Sequence, residues 1–272
     1  MKINLIGKKR NLDWGCEGMV SRAFAALRHE LFFADMTDAA LEHLGSSDLN
    51  VVLQGYGLSP TALVSLRQRS GAPVICYHGE VLSPEWPTRD LVVQGKAAQL
   101  VQNVAAYDLV LHNCTCCLDT VRALGAKRVA WCPVNGVDPT VHRRLAGQKH
   151  YDVGTYGWPS DRRMAWLRAL KEQGLTLMYP SPQDGVYGER LIQFINQCRV
   201  IVNVHYSETR NTECRLYESL GCSVPVVSEP ISMPDLFPTG EGVVYADTPP
   251  DMAETICLLL APDWAEAQRL GA

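Results

Sequence analysis

The sequence has no apolar run that approaches the roughly 20 residues needed to span a bilayer. It also lacks the charged segment and apolar core of a secretory signal, since residues 1–9 already contain the predicted strand Lys2–Ile6. Its 25 basic and 29 acidic residues give a net charge of −4, and no basic run is long enough for a nucleic-acid tail. We therefore expect a cytoplasmic protein without a membrane span. The acidic balance argues against a nucleic-acid partner, although a local basic groove is not excluded.

A disulfide framework is not expected either. The ten cysteines occur without a secretory signal, which indicates reduced thiols. Cys114 and Cys117 have the C-x-x-C spacing of zinc ligands, with Cys116 between them and with His112 and Cys132 nearby in sequence. No second ligand pair lies at a finger-like distance, so the sequence favours small packed thiols over a zinc site.

Strand and helix signals alternate along the chain, without internal repeats. The predicted strands are Lys2–Ile6, Asn50–Leu53, Pro73–Tyr77, Leu109–His112, Arg128–Trp131, Tyr151–Tyr156, Leu175–Tyr179, Val200–Val204, Val224–Ser228 and Gly242–Ala246. The predicted helices are Gly18–Leu31, Pro60–Arg69, Gly95–Ala106, Cys117–Leu124, Ser160–Gln173, Glu189–Cys198, Thr212–Gly221, Pro249–Leu260 and Asp263–Leu270. Helices between successive strands imply right-handed crossovers and parallel sheets covered on both faces.

The length and composition predict two domains. A chain of 272 residues with 47% apolar content can bury two cores of ordinary size. The polar segment 137–150 contains Asp-Pro, Arg-Arg and Gln-Lys-His, which is typical of a linker or hinge. We therefore predict an α/β protein with one Rossmann-like domain at residues 1–145 and a second at 146–272.

The segment 199–229 has the layout strand, polar loop, helix, strand. Asn211 or Thr212 can cap the helix, whose free N–H groups and positive dipole end suit a phosphate. Glu218 lies inside this helix among apolar residues, where a carboxylate needs a hydrogen-bond partner. A ribose diol would serve. Solvent, or Arg215 three residues earlier, would serve as well.

The run Leu216-Tyr-Glu-Ser-Leu-Gly-Cys-Ser-Val-Pro-Val-Val-Ser-Glu229 resembles the "E-A-small-A-C-G-x-P-V-V" signature of GT-B glycosyltransferases, particularly the family 4-like and spore-maturation-like groups. This resemblance implies two Rossmann-like domains that face an interdomain cleft, and it gives Glu218 the role of binding the nucleotide ribose. The family's second acidic residue, which contacts the donor sugar, falls on Arg210 in this chain. Glu208 or Glu213 would replace it if the loop differs in length.

Two further stretches carry the same resemblance. Residues 14–31 are similar to the glycine loop and first helix of GT-B enzymes, and residues 131–139 are similar to their "P-x-G-V-D-P" interdomain segment. Gly15 and Gly18 would let the backbone approach a ligand. A G-x-x-G spacing alone is a weak phosphate signal, and a plain turn explains it equally well.

The start of the second half has the pattern of a phosphate clamp. Gly154 and Gly157 permit close backbone approach, Ser160 can cap the following helix, and Arg162 or Arg163 could reach a diphosphate. The resemblance implies that these arginines neutralise the leaving diphosphate. The alternative is that they are solvated at a helix start.

Candidate acid/base residues come from the first half. His78 and Glu80 follow a buried strand, and Asp13 and Glu17 in the first loop are rivals. His78 as a packed structural residue is equally compatible with the sequence. The candidate donor-binding residues are Gly15, Gly154, Gly157, Arg162, Arg163, His205, Glu208, Arg210, Thr212, Glu213, Arg215 and Glu218.

The resemblance implies transfer of a sugar from a nucleotide-sugar donor, such as a UDP-sugar, to an acceptor hydroxyl. No Asp-x-Asp triplet is present, so we expect metal-independent transfer without a separate cofactor, and we favour a retaining outcome. The acceptor is left open. Two alternatives stand beside this hypothesis: a non-catalytic sugar-nucleotide binding protein, and a phage-type enzyme that glycosylates modified DNA bases.

Overall fold

Two compact units make up the chain, Met1–Val134 and Asn135–Ala272. The computed structural model describes residues 1–13, 15–79, 82, 91–133, 136–180, 186–206, 210 and 214–261. Each unit contains one parallel sheet with helices, so the predicted α/β class with two Rossmann-like domains is confirmed. The division lies earlier than the boundary predicted after residue 145. Within the described residues, no helix is long and apolar enough to cross a membrane.

In the first unit the described strands form a sheet in the order β2-β1-β3-β4-β5-β6. The strands are β1 (Lys2–Gly7), β2 (Glu30–Asp35), β3 (Leu49–Leu53), β4 (Val74–His78), β5 (Leu109–His112) and β6 (Val129–Trp131). The helices are α1 (Cys16–Ala26), α2 (Asp38–Leu41), α3 (Pro60–Ser70), α4 (Leu91–Asn103) and α5 (Leu118–Ala123). Neighbouring residues of β1 serve two cores, because Leu5 packs with Phe24 of α1 and Ile6 packs with Leu63 of α3.

The second unit repeats this plan with the sheet order β11-β10-β9-β7-β8. Its described strands are β7 (Tyr151–Gly154), β8 (Leu177–Met178), β9 (Cys198–Asn203), β10 (Val226–Ser228) and β11 (Val243–Tyr245). Its helices are α6 (Asp161–Glu172), α7 (Glu189–Gln197), α8 (Cys214–Gly221) and α9 (Pro249–Leu260). Val202 of β9 packs with Trp166 of α6, whereas Ile201 packs with Leu216 of α8 on the opposite face.

The prediction of one helix over Gly18–Leu31 is wrong at its C-terminal end. Helix α1 ends at Ala26, Arg28 has a positive φ of 60°, and β2 begins at Glu30. Leu31 packs as a strand residue against the core beside β1. The predicted helix was too long because the spacing of Leu31 from the preceding apolar residues also fits a helix.

The segment 137–150, predicted to be a linker, is packed onto the second unit. Val141 and Leu145 lie against its apolar core. The Leu145 N–H donates to Asn196 Oδ1 at 2.8 Å, and Asn196 Nδ2 donates to the Arg143 carbonyl at 3.0 Å. These contacts explain why the division between the units falls before this segment. The predicted helix Asp263–Leu270 lies outside the described residues.

Candidate functional site

The carboxyl ends of β7, β9 and β10 lie side by side, because β9 pairs in parallel with both of the other strands. The chain leaves β7 through the loop 155–160, which leads into α6. It leaves β9 at Val204 and β10 at Glu229. Open α/β sheets bind their ligands at the edge where the strands have their carboxyl ends. This edge of the second sheet is therefore the candidate ligand site.

Glu218 is half-buried on α8 and reaches the loop that follows β7. Its Oε2 accepts a hydrogen bond from the Tyr156 hydroxyl at 2.7 Å. Burial and then the Glu218 charge raise the pKa of Tyr156 well above its usual value, so the phenol stays protonated and donates. Among the residues that the structure describes, Oε1 of Glu218 has no hydrogen-bond partner. The carboxylate is therefore oriented through one oxygen and keeps acceptor capacity on the other.

Arg215 does not pair with Glu218, which was one of the alternatives from sequence. It is 3% exposed, and its Nε and Nη2 donate to the Tyr156 carbonyl at 3.2 and 2.7 Å. Its Nη1 donates to Asn203 Oδ1 at the end of β9. The amide of Asn203 in turn donates to Ser228 Oγ at 2.8 Å. Arg215 thus holds the loop after β7 against the ends of β9 and β10.

Arg163 is also buried, at 2% exposure, on the first turn of α6. The predicted cap is present, because Ser160 Oγ accepts the Arg163 N–H at 3.1 Å. The guanidinium donates from Nε to the Val204 carbonyl at 2.9 Å and from Nη1 to the Trp158 carbonyl. These two bonds hold the positively charged guanidinium at this edge.

Arg162 forms a bidentate ion pair with Glu229, the residue that follows β10. Arg162 Nη1 donates to Glu229 Oε2 at 2.8 Å, and Arg162 Nη2 donates to Glu229 Oε1. Glu229 Oε2 also accepts the His205 N–H at 2.7 Å. The Arg162 side chain remains 23% exposed. It is therefore the more accessible of the two predicted clamp arginines, although it already has an anionic partner.

His205 is held in place next to this pair. Its Nε2 lies 3.0 Å from the Pro230 carbonyl, which can only accept, so Nε2 carries the proton. The side chain is 2% exposed. In this position His205 connects the chain after β9 to the chain after β10, and a contact with the donor stays a prediction.

The two glycines of the predicted clamp have different surroundings. A Cβ on Gly154 would lie 2.2 Å from Cys198 Sγ, so packing of the core accounts for this glycine. Gly157 has a φ of 108°, and a Cβ there would lie 3.0 Å from Arg215 Nη2 and 3.2 Å from Arg163 Nη1. Glycine at 157 therefore lets the loop lie against the two buried guanidinium groups.

Several predicted residues fall outside the description. Glu80, Glu208, Thr212 and Glu213 lie outside the described residues, so their proposed roles stay predictions. Arg210, at the position where the resemblance places a second acidic residue, is exposed.

In the first unit Glu17 organises the loop between β1 and α1. It is 2% exposed, and its Oε1 accepts hydrogen bonds from the Lys8 N–H and from Asn11 Nδ2, both at 3.1 Å. Cys16 Sγ lies 3.3 Å from Oε2, and burial, together with this carboxylate, raises the pKa of the Cys16 thiol to about 12. Glu17 therefore has a clear structural task.

The other first-loop candidates lie at different depths. Asp13 is exposed. A Cβ on Gly15 would lie 2.7 Å from Asn11 Cβ, and one on Gly18 would lie 2.0 Å from the Leu12 carbonyl oxygen. Both glycines thus let the loop fold closely onto α1, and a role of Gly15 in donor binding stays a prediction.

His78 is fully buried at the end of β4, where its ring centroid lies 5.4 Å from that of His112. The two histidines are register partners on β4 and β5. A general base must come within hydrogen-bond reach of the acceptor hydroxyl. Burial of His78 favours the packed role that the sequence left open, and catalysis by His78 stays a prediction.

Sequence reasoning assigned no role to Tyr156, Asn203 or Glu229. Asn203 ends β9, Glu229 directly follows β10, and Tyr156 lies two residues after β7. A polar residue at the carboxyl end of a parallel strand was the signal that could have identified them. What the sequence does not reveal is the pairing, because Tyr156 and Glu218 are 62 positions apart.

Comparison with solved structures agrees with this fold. Sucrose-phosphate synthase from Thermosynechococcus elongatus superposes with a TM-score of 0.69 at 14% identity, over 100% of this chain and 92% of that chain. HepE from Anabaena, in complex with UDP and glucose, superposes with a TM-score of 0.64 at 12% identity, over 100% of this chain and 92% of that chain. A DNA-modifying β-glucosyltransferase, solved in the presence and absence of uridine diphosphoglucose, gives 0.58 at 10%, over 99% of this chain and 92% of that one. At these identities the likeness shows the fold, which is that of the GT-B glycosyltransferases.

Comparison of sequences gives the family. The glycosyl transferase-like family matches residues 136–272, the half of the chain that carries the edge described above. The chain therefore belongs to the glycosyl transferase-like family. A curated relative, an uncharacterized protein of Acanthamoeba polyphaga mimivirus, is 33% identical over 87 residues. That match covers 30% of this chain and 27% of the relative's length.

Proposed function

We propose that this chain is a glycosyltransferase that takes a sugar from a nucleotide-sugar donor, with the donor bound by the second unit. Family membership and the fold support the class. The observation that carries the proposal is Glu218, whose Oε2 is fixed by the Tyr156 hydroxyl while Oε1 has no partner among the described residues. A ribose diol bound by Oε1 would satisfy that oxygen with charge-assisted hydrogen bonds.

The charge at the same edge supports a diphosphate ligand. Arg162, Arg163 and Arg215 all lie at the carboxyl ends of β7, β9 and β10, where Arg163 and Arg215 donate to backbone carbonyls and Arg162 pairs with Glu229. The bond between the sugar and the phosphate oxygen breaks during transfer and leaves negative charge on the diphosphate. Guanidinium groups that are already fixed lower the barrier, since they need no reorganisation as this charge develops.

We infer a retaining, metal-independent reaction. The acceptor oxygen then bonds to the sugar on the face from which the diphosphate leaves, and the acceptor proton passes to the departing phosphate oxygen. No side-chain base is required in this scheme, in keeping with the burial of His78. NMR of the product gives the stereochemistry, and turnover after exhaustive chelation tests the independence from metal.

Calorimetry tests the donor site directly. Wild-type protein should bind one of UDP, GDP, ADP or TDP, with UDP as our expectation. Glu218→Gln should weaken binding about 10–100-fold, the equivalent of losing hydrogen bonds to a charged group. Glu254→Gln, on the exposed side of α9, is the matched control and should bind like the wild type. Unchanged affinity in Glu218→Gln would reject the assignment.

One observation favours a second candidate, a non-catalytic sugar-nucleotide binding protein. Arg210 occupies the position at which the resemblance places the sugar-contacting acid, and it is exposed. A panel of nucleotide sugars separates the two functions, because a binding protein retains affinity for the donor but never hydrolyses or transfers it. Measured turnover of any donor removes this candidate.

A further inference from the structure

A cluster of three thiols lies in the first unit, directly after β5. Cys114, Cys116 and Cys117 belong to the short 3-10 turn that follows β5 and to its N-terminal cap. Their sulfur atoms all lie within 4.8 Å of one another. Cys114 and Cys117 are buried, at 0% and 1% exposure, whereas Cys116 is exposed. The proposed transfer reaction uses none of them.

The spacing of the sulfurs is close to that of ligands on one metal ion. Bonds of about 2.3 Å from a tetrahedral ion to each sulfur place two sulfurs about 3.8 Å apart. Cys116 Sγ and Cys117 Sγ are 3.8 Å apart. Cys114 Sγ and Cys116 Sγ are 2.7 Å apart, and this pair must open by about 1 Å to share an ion at the same bond length. Because Cys116 is exposed, rotation of its side chain can supply this opening without disturbing the core.

The neighbours of the cluster hold the two buried cysteines in place. The Cys114 N–H donates to His112 Nδ1 at 3.0 Å, and the Leu82 N–H donates to Cys117 Sγ at 3.2 Å. An N–H that points at sulfur is the usual outer-shell partner of a thiolate ligand, which it orients and stabilises. The Leu82 contact also connects the cluster to the chain segment that follows β4.

We propose that Cys114, Cys116 and Cys117 form a binding site for one thiophilic cation, of the class of Zn²⁺ or Cu⁺. Three sulfur ligands select soft ions over Mg²⁺ or Ca²⁺. Binding releases up to three thiol protons, with no change in the oxidation state of sulfur. The exposed position of Cys116 places the ion at the surface, where water completes the coordination of Zn²⁺ and Cu⁺ needs no fourth ligand. The ion would join the turn after β5 to the segment containing Leu82.

The test uses the full chain, reduced and kept free of oxygen. Titration with Co²⁺ should produce sulfur-to-cobalt charge-transfer absorption that saturates at one equivalent, and Zn²⁺ should bleach it. A parallel titration with Cu⁺ against a chromophoric competitor distinguishes the two cations. Cys116→Ser, Cys117→Ser and Cys114→Ser should each lower the affinity by more than the about 10–100-fold that removal of an outer-shell partner costs.

Cys132→Ser and Cys257→Ser are the controls, since these cysteines lie outside the cluster, and both should bind like the wild type. Substitution of the exposed Cys116 is not expected to unfold the protein, so it keeps the test decisive if the buried variants misfold. Failure of the reduced protein to bind any of the three ions stoichiometrically would overturn the proposal. So would unchanged binding in Cys116→Ser and Cys117→Ser, or the finding that the cluster exists only as a Cys114–Cys116 disulfide. UDP binding is measured in the same samples and is independent of this result.

Discussion

The two units share a plan but differ in the polar groups that they bury. Among the described residues of the first unit, Glu17 is the one buried residue with a formal charge, and its other buried polar residues are Asn, His and Ser. The second unit buries Arg163, Arg215 and Glu229, all at the carboxyl edge of its sheet. Buried cations are costly unless they are hydrogen-bonded or face an anion. This difference is what the proposed binding of an anionic donor group by the second unit requires.

The polar network of the first unit serves its own fold. Asn50 Nδ2 donates to Ser70 Oγ at 2.9 Å, and Asn50 Oδ1 accepts from Asn4 Nδ2 at the same distance. These bonds join β1 and β3 to the end of α3. Neutral amides satisfy backbone and side-chain groups without creating a field at the sheet edge. The contrast with Arg215 can be tested by substitution.

The largest effect is expected from Arg215→Met, which keeps the apolar stem and removes the charge. The Tyr156 carbonyl and Asn203 Oδ1 each lose a charged hydrogen-bond donor, and each loss costs about 1–3 kcal/mol. The free energy of unfolding should therefore fall by about 4 kcal/mol. Urea denaturation measures this loss. Arg168→Met, on the exposed face of the neighbouring α6, should change it by less than about 0.5 kcal/mol. Equal values for the two variants would remove Arg215 as the residue that holds the loop.

Gly154→Ala tests whether packing or ligand binding requires glycine at the end of β7. The new Cβ would lie 2.2 Å from Cys198 Sγ, and overpacking of this kind costs up to about 3 kcal/mol. The double variant Gly154→Ala/Cys198→Ala should recover most of the lost stability, as measured by thermal denaturation. Weaker UDP binding with unchanged stability would instead show that the glycine serves the ligand.

A smaller effect is expected for the Arg162–Glu229 pair. A double-mutant cycle with Arg162→Met and Glu229→Gln should give a coupling of about 1–2 kcal/mol, since both groups are largely buried. The control is the more exposed pair of Arg199 and Asp152, with side chains 33% and 29% exposed, which should couple by less than about 1 kcal/mol. A coupling near zero at Arg162–Glu229 would show that the pair is dispensable for the fold.

The smallest effect concerns the first unit and depends on pH. Burial alone would raise the pKa of Asp108, but the Val74 N–H and the charges of Lys127 and Arg67 together lower it below its ordinary value. A carboxyl group with a lowered folded pKa stabilises the protein above its unfolded pKa of about 3.9, and this contribution is lost as the pH falls through the folded pKa. Asp108→Asn should therefore lower stability at pH 7 and converge with the wild type in acid.

Asp119→Asn, in a side chain 95% exposed, is the control for this pH series. It should follow the wild type across the whole range. A constant difference between Asp108→Asn and the wild type from pH 7 into acid would contradict the lowered pKa.

Much of the fold was predictable because strands and helices have different apolar periods. The prediction of β5 at Leu109–His112 matches the structure, and the alternation of elements gave the parallel sheets. The error at Leu31 arose because a short apolar sequence fits both periods. The packing of segment 137–150 was missed because its composition is polar. Its contacts include the apolar side chains of Val141 and Leu145 and hydrogen bonds to the buried amide of Asn196 on α7.

The roles predicted for the site residues stay predictions, and the sequence did not reveal the contacts that these residues make. Glu218 stood out as a carboxylate among apolar helix residues, and Arg162 stood out as a cation at the start of a helix. Their partners, Tyr156 and Glu229, are 62 and 67 positions away in the sequence. A local sequence pattern does not reveal contacts between residues so far apart along the chain. The sequence also gave no means to distinguish Gly154, which packs against Cys198, from Gly157, which lies against two arginines.

The proposed function requires that the second unit binds the nucleotide diphosphate at the edge formed by β7, β9 and β10. Amide hydrogen exchange of the full chain with and without saturating UDP tests this claim directly. If UDP binds at this edge, the largest slowing of amide exchange should fall within residues 155–163 and 214–221. Slowing confined to the first unit, or none in either unit at saturation, would contradict it.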